Sequence, residues 1–374
     1  MNRISIATLA CLALAAGCSS KSSQQTDTPD AGAVAETPTT DGDAGAADAD
    51  APAGERPKAR MGSGTRSTTK RTGKHRSLVA KKPPVAAGGK TKAKRTAKAR
   101  NPSDPVVVSG VVPTMLVSGG VFQVFGEGFD EDPAKNKVTI NGKAQTVLEV
   151  ADDHLVVQAG ATPTTGAVRV RKGGGRMRSR GKSGSGTPTT ANKVTVLGAG
   201  DGFATPATLP GQGLLGAVYD IGGASTEMPD FNSVGDPVGY VLMGNLDIAT
   251  GGFSGFPVGG AELNENFGIH FQGSLNVVEG GDYELCLAAG DGAILFLNGA
   301  PFLDNDGAGE TREVCDTVEI EPGEFDLQLL YFQNEGDLSL QLTWAKDGGA
   351  KEAIPASAFF PPENLDGLAQ ALNQ

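Results

Sequence analysis

From residue 105 onward, apolar and polar positions alternate in short runs, and the runs are separated by Gly, Asn, Asp and Pro. The first group is 106–108, 121–125, 137–140, 144–150, 155–158, 168–171 and 193–197. Seven short runs at this spacing predict the strands of a β-sandwich. Asn141-Gly142 stands between two of them and predicts a tight two-residue hairpin. A second group follows the same period. Phe267, Ile269 and Phe271 alternate with Gly268, His270 and Gln272, Tyr283 with Leu285 and Leu287, and Leu338, Leu340 and Leu342 lead to Trp344. One apolar face per strand means strands half-buried in a second sandwich or barrel, with Trp344 in its core. The expected class is all-β throughout.

Residues 19–104 break the pattern. They hold almost no large apolar side chain and consist of Ala, Gly, Ser, Thr, Pro and charge, too little to offset the entropy of ordering. A long disordered tether is expected, with a root-mean-square span of roughly 50 Å. Its charge is divided: 22–55 carries eight acidic residues and no Lys or Arg, whereas 56–100 carries sixteen Lys and Arg and no acid. The basic block is expected to make non-specific contact with envelope polyanions. Without interleaved aromatic residues to stack on bases, it does not point to specific nucleic-acid binding.

The chain opens with Arg3, an apolar run over 4–16 and small residues before Cys18. This is signal-peptide anatomy, and about 13 apolar residues fall short of the roughly 20 needed to span hydrocarbon. Leu14-Ala15-Ala16-Gly17-Cys18 resembles the bacterial lipobox, with Ala15 where Leu is usual. The resemblance implies cleavage before Cys18 and lipidation of its thiol. With Ser19 and Ser20 following, in place of an inner-membrane retention Asp, the expected location is the outer membrane, periplasmic or surface-exposed. Cys11 leaves with the signal, so Cys286 and Cys315 remain as a candidate disulfide in an oxidising compartment. The alternative is two buried free thiols.

In the first β-segment, Phe125-Gly126-Glu127-Gly128-Phe129, Lys137-Val138-Thr139-Ile140-Asn141-Gly142 and Thr165-Gly166-Ala167-Val168-Arg169-Val170 occur in the order that resembles the immunoglobulin-like IPT/TIG family. What this implies is a compact binding or spacer module. A Gly-, Ser- and Arg-rich insertion at 172–188 departs from that pattern and reads as a basic loop. Its glycines lack the spacing and flanking elements of a phosphate-cradling loop.

In the second segment, Gly213-Leu214-Leu215-Gly216-Ala217-Val218-Tyr219, Gly281-Asp282-Tyr283-Glu284-Leu285-Cys286-Leu287, Asp291-Gly292-Ala293-Ile294-Leu295-Phe296-Leu297-Asn298-Gly299 and Asp304-Asn305-Asp306-Gly307 resemble the protective-antigen (PA14) family of β-domains. In sugar-binding members, paired aspartates hold a calcium ion that grips sugar hydroxyls. Here Gly290 takes the first aspartate position and Asp291 alone remains. Calcium takes six to eight oxygens, so the resemblance implies at most weak calcium binding, with Asp291, Asp304, Asp306 and Asn334 as the candidate ligands. The competing reading makes these residues turn formers. No other cofactor is implied.

The half from 201 onward has three basic residues (Arg312, Lys346, Lys351) against 27 acids, a surface suited to cations or neutral sugars. His75, His154 and His270 are scattered in sequence and assemble neither a zinc cluster nor a His-based triad. The expected organisation is a signal at 1–17, an anchored tether at 18–104, an IPT/TIG domain at 105–198, a linker at 199–211, a PA14-type domain at 212–362 and a C-terminal tail at 363–374. The expected function is non-catalytic: a membrane-tethered lipoprotein presenting a carbohydrate-binding, adhesin-like domain. The alternative is a structural lipoprotein that docks an envelope protein.

Overall fold

The computed structural model describes residues 76–82, 105–173, 193–198 and 205–371. The lipobox, Cys18, His75 and most of the 172–188 insertion lie outside the described residues. Within them the chain is almost wholly β, in two packed sandwiches.

The first sandwich contains β2 (Val107–Val112), β3 (Met115–Val117), β4 (Val121–Glu127), β5 (Asn136–Ile140), β6 (Lys143–Val150), β7 (His154–Gln158), β8 (Thr164–Lys172) and β9 (Lys193–Leu197). They pair in the order β3-β9-β8-β5-β6-β7-β4-β2. Phe122, Val124, Ile140, Leu155 and Val157 fill the core between its faces. Asn141 and Gly142 both take positive φ (48° and 79°) between β5 and β6. That conformation matches the strand twist and suits Asn-Gly. The strand β3 escaped the sequence pattern because its three apolar residues sit between Pro113 and Ser118, too few to display a period.

The second sandwich has two faces. One runs β18 (Ala300–Asn305), β17 (Gly292–Leu297), β20 (Gly323–Gln333), β15 (Phe267–Val277), β10 (Leu214–Asp220) and β11 (Gly239–Met243), with β23 (Phe359–Phe360) on β15. The other runs β19 (Arg312–Ile320), β16 (Gly281–Gly290), β21 (Leu338–Lys346) and β12 (Asp247–Gly251), with β22 (Glu352–Ala353) on β21. A small hairpin of β13 (Phe256–Val258) and β14 (Ala261–Leu263) stands apart. Phe271, Leu287, Leu329, Tyr331, Leu340 and Leu342 are among the inward residues, and each is buried as the period of two requires. Trp344 is only half-buried: its ring packs beside Tyr283, while its indole N–H donates to Glu352 at the surface.

Cys286 on β16 faces Cys315 on β19 directly, and the two are joined as a disulfide 29 residues apart in sequence. Such a closure is worth about 3.5 kcal/mol in the chain-entropy treatment.

Two segments that composition sets outside the domains are folded onto them. Residues 76–82 were expected within the disordered tether, and this is corrected: β1 (Arg76–Leu78) pairs in parallel with β19. Composition registers only the scarcity of apolar residues, and here two of them, Leu78 and Ala80, find a core to pack against. The end of the chain forms α1 (Leu365–Ala371), whose Leu365 and Ala369 are buried with Val112, Phe125 and Leu215.

The two sandwiches are continuous in backbone. Met115 of β3 pairs in parallel with Val241 of β11, so one sheet crosses from the first sandwich into the second. Thr114 Oγ1 accepts from the Tyr240 N–H (3.0 Å), Val121 N–H donates to Ala207 (2.8 Å), and Ala207 is buried with Val121, Val156 and Leu242. Gly110 admits α1 closely, because a Cβ there would collide with the Ala369 carbonyl. Gly110→Val and deletion of 365–374 should each destabilise the protein by about 1–3 kcal/mol, and together no more than the larger single loss. Denaturant titration of the three variants checks this, and an additive double loss would place the effect of Gly110 elsewhere.

Candidate functional site

At one end of the second sandwich the turn between β16 and β17 meets three longer segments: 221–230, the 305–311 connection from β18 to β19, and 333–337 after β20. The strand pattern brings them together because β17, β20 and β18 are neighbours in one sheet and β16 faces them from the other.

Asp291 is the single residue between β16 and β17, and the Gly290–Asp291 peptide is cis. Its buried carboxylate accepts from the Gly309 N–H through Oδ1 and the Asn334 N–H through Oδ2, each at 2.7 Å. One side chain therefore ties two loops. Asn334 ties a third, taking the Ser225 N–H at Oδ1 (2.8 Å) and donating to the Ser225 carbonyl (2.9 Å). Asp306 Oδ1 accepts from Met228 N–H (2.7 Å) and Gly307 N–H (2.6 Å). Asp304, which is exposed, accepts from the Asp306 N–H at 3.1 Å. Beneath them the Tyr331 hydroxyl lies 2.8 Å from the Gly290 carbonyl and 2.9 Å from Gln333 Oε1. Burial, reinforced by the Asp291 charge, pushes its pKa well above the ordinary tyrosine value, so it serves as a neutral donor.

Arg312, at the start of β19, fills the inside of the 305–311 loop. Nη2 donates to the carbonyls of Asn305 (3.2 Å), Asp306 (3.0 Å) and Gly307 (2.7 Å), Nη1 to Ala308 (3.5 Å), and Nε to Asn305 Oδ1 (3.3 Å). Asn305 is buried and donates in turn to the carbonyls of Leu287 (3.2 Å) and Arg312 (2.9 Å). Five oxygens thus surround one fixed guanidinium charge.

The four candidate calcium ligands stand in or beside these loops, but among the described residues their carboxylates do not converge as a group, and each side chain accepts a backbone N–H. Asp291, Asp306 and Asn334 accept main-chain N–H groups from neighbouring loops, and Asp304 accepts one from its own loop. Among the described residues, the group of ligand-type side chains whose ligand atoms lie together is Cys286, Glu313 and Cys315, with both sulfurs in the disulfide. At the position of the missing aspartate, a Cβ on Gly290 would stand 3.0 Å from Thr311 Oγ1, a hydroxyl already 2.9 Å from Ser339 Oγ. This donor set does not fit a family-type calcium ion, which needs oxygens free to converge on one point.

Sequence reasoning did not single out Arg312, Thr311 or Ser225. The available signal was that Arg312 is the one arginine in the acidic half. His270, on the outer face of β15, has its Nε2 3.3 Å from Gln328 Oε1 and its ring beside Phe231, and burial lowers its pKa below the ordinary histidine value. Asp153 takes the His154 ring at 2.8 Å far along the chain, in the first sandwich.

A family model described as the IPT/TIG domain matches residues 105–192, and one described as the PA14 domain matches 257–358. The chain carries an IPT/TIG domain followed by a PA14 domain. The PA14 match begins at β13 and ends before β23, and the folded unit adds β10 and β11 on one side and β23 on the other. None of the curated proteins matches the chain. Solved structures similar to it include an "anti-sigma factor domain-containing protein" (21% identical, covering 41% of this chain and 49% of that one, TM-score 0.34). The match thus spans about half that protein's length. Others are the PA14 domain of an antifreeze protein (19%, 42% and 95%, 0.36) and a "PA14 sugar-binding domain from RTX adhesin" (17%, 40% and 99%, 0.34).

The 305–311 loop is thus organised by Arg312 and by backbone hydrogen bonds to Asp291 and Asp306. The melting temperature should be the same in millimolar calcium and in chelator. Arg312→Ala, which strands several carbonyls, should cost about 2 kcal/mol, or roughly 4–8 °C. Calorimetry of both proteins in both buffers reads this out; a calcium-dependent rise in the native protein would restore the metal site.

Proposed function

We propose that the chain is a non-catalytic outer-membrane lipoprotein, anchored through Cys18, whose PA14 domain binds neutral carbohydrate at the 221–230, 305–311 and 333–337 loops. The observation that carries this reading is the cross-linking of those loops by Asp291, Asn334, Asp306 and Arg312. Loops fixed before the ligand arrives lose little entropy on binding. Their rim presents Thr226, Asp304, Glu310 and Glu335 to solvent, groups that accept hydrogen bonds from sugar hydroxyls. The PA14 match supports the same reading, and the acidic surface disfavours polyanionic ligands here.

The IPT/TIG domain, bound rigidly to the PA14 domain through β3 and β11, acts as a spacer that sets the orientation of the loops. The basic part of the tether adds non-specific contact with envelope polyanions. Glycan contact at the rim then calls for no bound metal.

A glycan array with the whole exported chain tests the ligand class. Binding to neutral glycans should be equal with calcium and with chelator, and Asp304→Ala should weaken it at least about tenfold, the loss of one charged hydrogen bond, with the melting temperature unchanged. An array without signal at high protein concentration would remove the carbohydrate reading and favour a protein-docking lipoprotein. Separately, Cys18→Ala should leave the exported protein in the soluble fraction after a high-salt, detergent-free wash. High salt is needed because Lys and Arg near anionic lipid contribute about 1 kcal/mol each. A mutant that still sediments with membranes rules out lipidation as the anchor.

A further inference from the structure

The strand β19 would be an edge of its sheet but for β1. Arg76, Ser77 and Leu78 pair in parallel with Val318, Glu319 and Ile320. The chain then continues along the β19–β20 turn, with Glu321 N–H donating to Leu78 (3.3 Å), Lys81 N–H to Glu324 (3.1 Å) and Glu324 N–H to Lys82 (2.9 Å). Asn298 Nδ2 donates to the Val79 carbonyl (3.1 Å). Side chains alternate as on any strand. Leu78 and Ala80 turn inward onto the core, while Val79 is 62% exposed.

The three cations of the segment each meet acid. Arg76 pairs with Asp316 (3.1 Å) and lies over the Phe302 ring at 4.7 Å; Lys81 pairs with Asp326; Lys82 pairs with Glu363 (3.0 Å) and Glu324 (3.8 Å). Gly323 is part of the fit, since a Cβ there would run into Ala80 and the Lys82 carbonyl. The acceptor matches a basic, extended segment in backbone, shape and charge.

We propose that this edge is a strand-acceptor site for a polybasic extended peptide, that residues 76–82 are its resident ligand, and that polyanions displace them by competing for the same cations. The contact is built to be released. It consists of few ladder pairs, two half-buried apolar side chains and ion pairs that are about half exposed, which places it at the low end of local stability. Exposed ion pairs weaken with salt, whereas a polyanion taking up Lys and Arg gains from counterion release. A docked segment and a polyanion-bound segment are therefore alternative states of Arg76, Lys81 and Lys82.

Hydrogen exchange of the full-length chain tests this from the acceptor side, at the amides of Glu321 and Glu324. In the native protein both should be protected. Asp316→Lys with Asp326→Lys should raise their exchange about tenfold, and adding Arg76→Glu with Lys81→Glu should restore protection by reversing both of those pairs. Heparin oligosaccharide should accelerate exchange at these amides in the native chain and leave the Asp316→Lys, Asp326→Lys protein unchanged. A fluorescent peptide with the sequence of 74–83 should bind a chain carrying Arg76→Glu, Lys81→Glu and Lys82→Glu, and fail to bind when Gly323→Val is added. Exchange indifferent to the charge reversals would overturn the strand-acceptor site. Heparin that binds the chain without changing exchange at Glu321 and Glu324 would overturn the competition.

Discussion

A β-sheet that stops leaves a row of N–H and C=O groups without partners, and this constraint organises the molecule. Such rows recruit other strands, and two sheet edges of the PA14 domain are closed by other parts of the same chain. The edge at β11 is taken by β3 of the IPT/TIG domain, and the edge at β19 by β1 from the tether. Both pairings are parallel, which requires a distant segment to arrive from outside the local hairpins. A two-domain chain with a tail thereby becomes one folded unit. The joint at β3 also explains why the segment at 205–211 is packed: Ala207 and Pro206 lie in the seam, hydrogen-bonded or bridged to β4 and β11.

Charge is deployed on the same principle of supplying in one part what another lacks. The PA14 half holds three basic residues among 27 acids. Lys346 and Lys351 meet Glu279 and Glu313 at the surface, where such pairs contribute little. Arg312 faces inward onto main-chain carbonyls. The acids around β19 and β20 are answered by cations from the tether, Arg76, Lys81 and Lys82. The segment 76–82 is thus complementary in charge to the domain it packs on.

What sequence could reveal follows from the length scale of each interaction. Alternation over Leu338–Lys346 and the Asn141-Gly142 turn are local, and both were legible. The disulfide was legible as a pair because, with Cys11 and Cys18 assigned to the expected signal and anchor, Cys286 and Cys315 are the two left. The strands β1 and β3 were not, since each is three residues long and exists by virtue of a partner far away in the chain. In the site, residue types pointed to Asp291, Asp304, Asp306 and Asn334, and these stand in or beside neighbouring loops without their carboxylates converging as a group among the described residues. Their hydrogen bonds depend on which loop approaches which, and Asp291 holds Gly309 and Asn334 across 18 and 43 residues. No spacing rule encodes that.

An arginine inside a loop orders it differently from a bound cation. A calcium ion orders loops only while it is bound, so its site follows the metal concentration outside the cell. The Arg312 guanidinium is covalently attached to the strand beside the loop it fills. Its planar donors also fix direction, whereas a hard cation accepts oxygens in flexible geometry. Asp291 acts as the clasp between two loops, accepting from the Gly309 and Asn334 N–H groups. Under the proposed carbohydrate reading, recognition falls to the exposed rim side chains, and the buried Asp291 holds the loops that carry them.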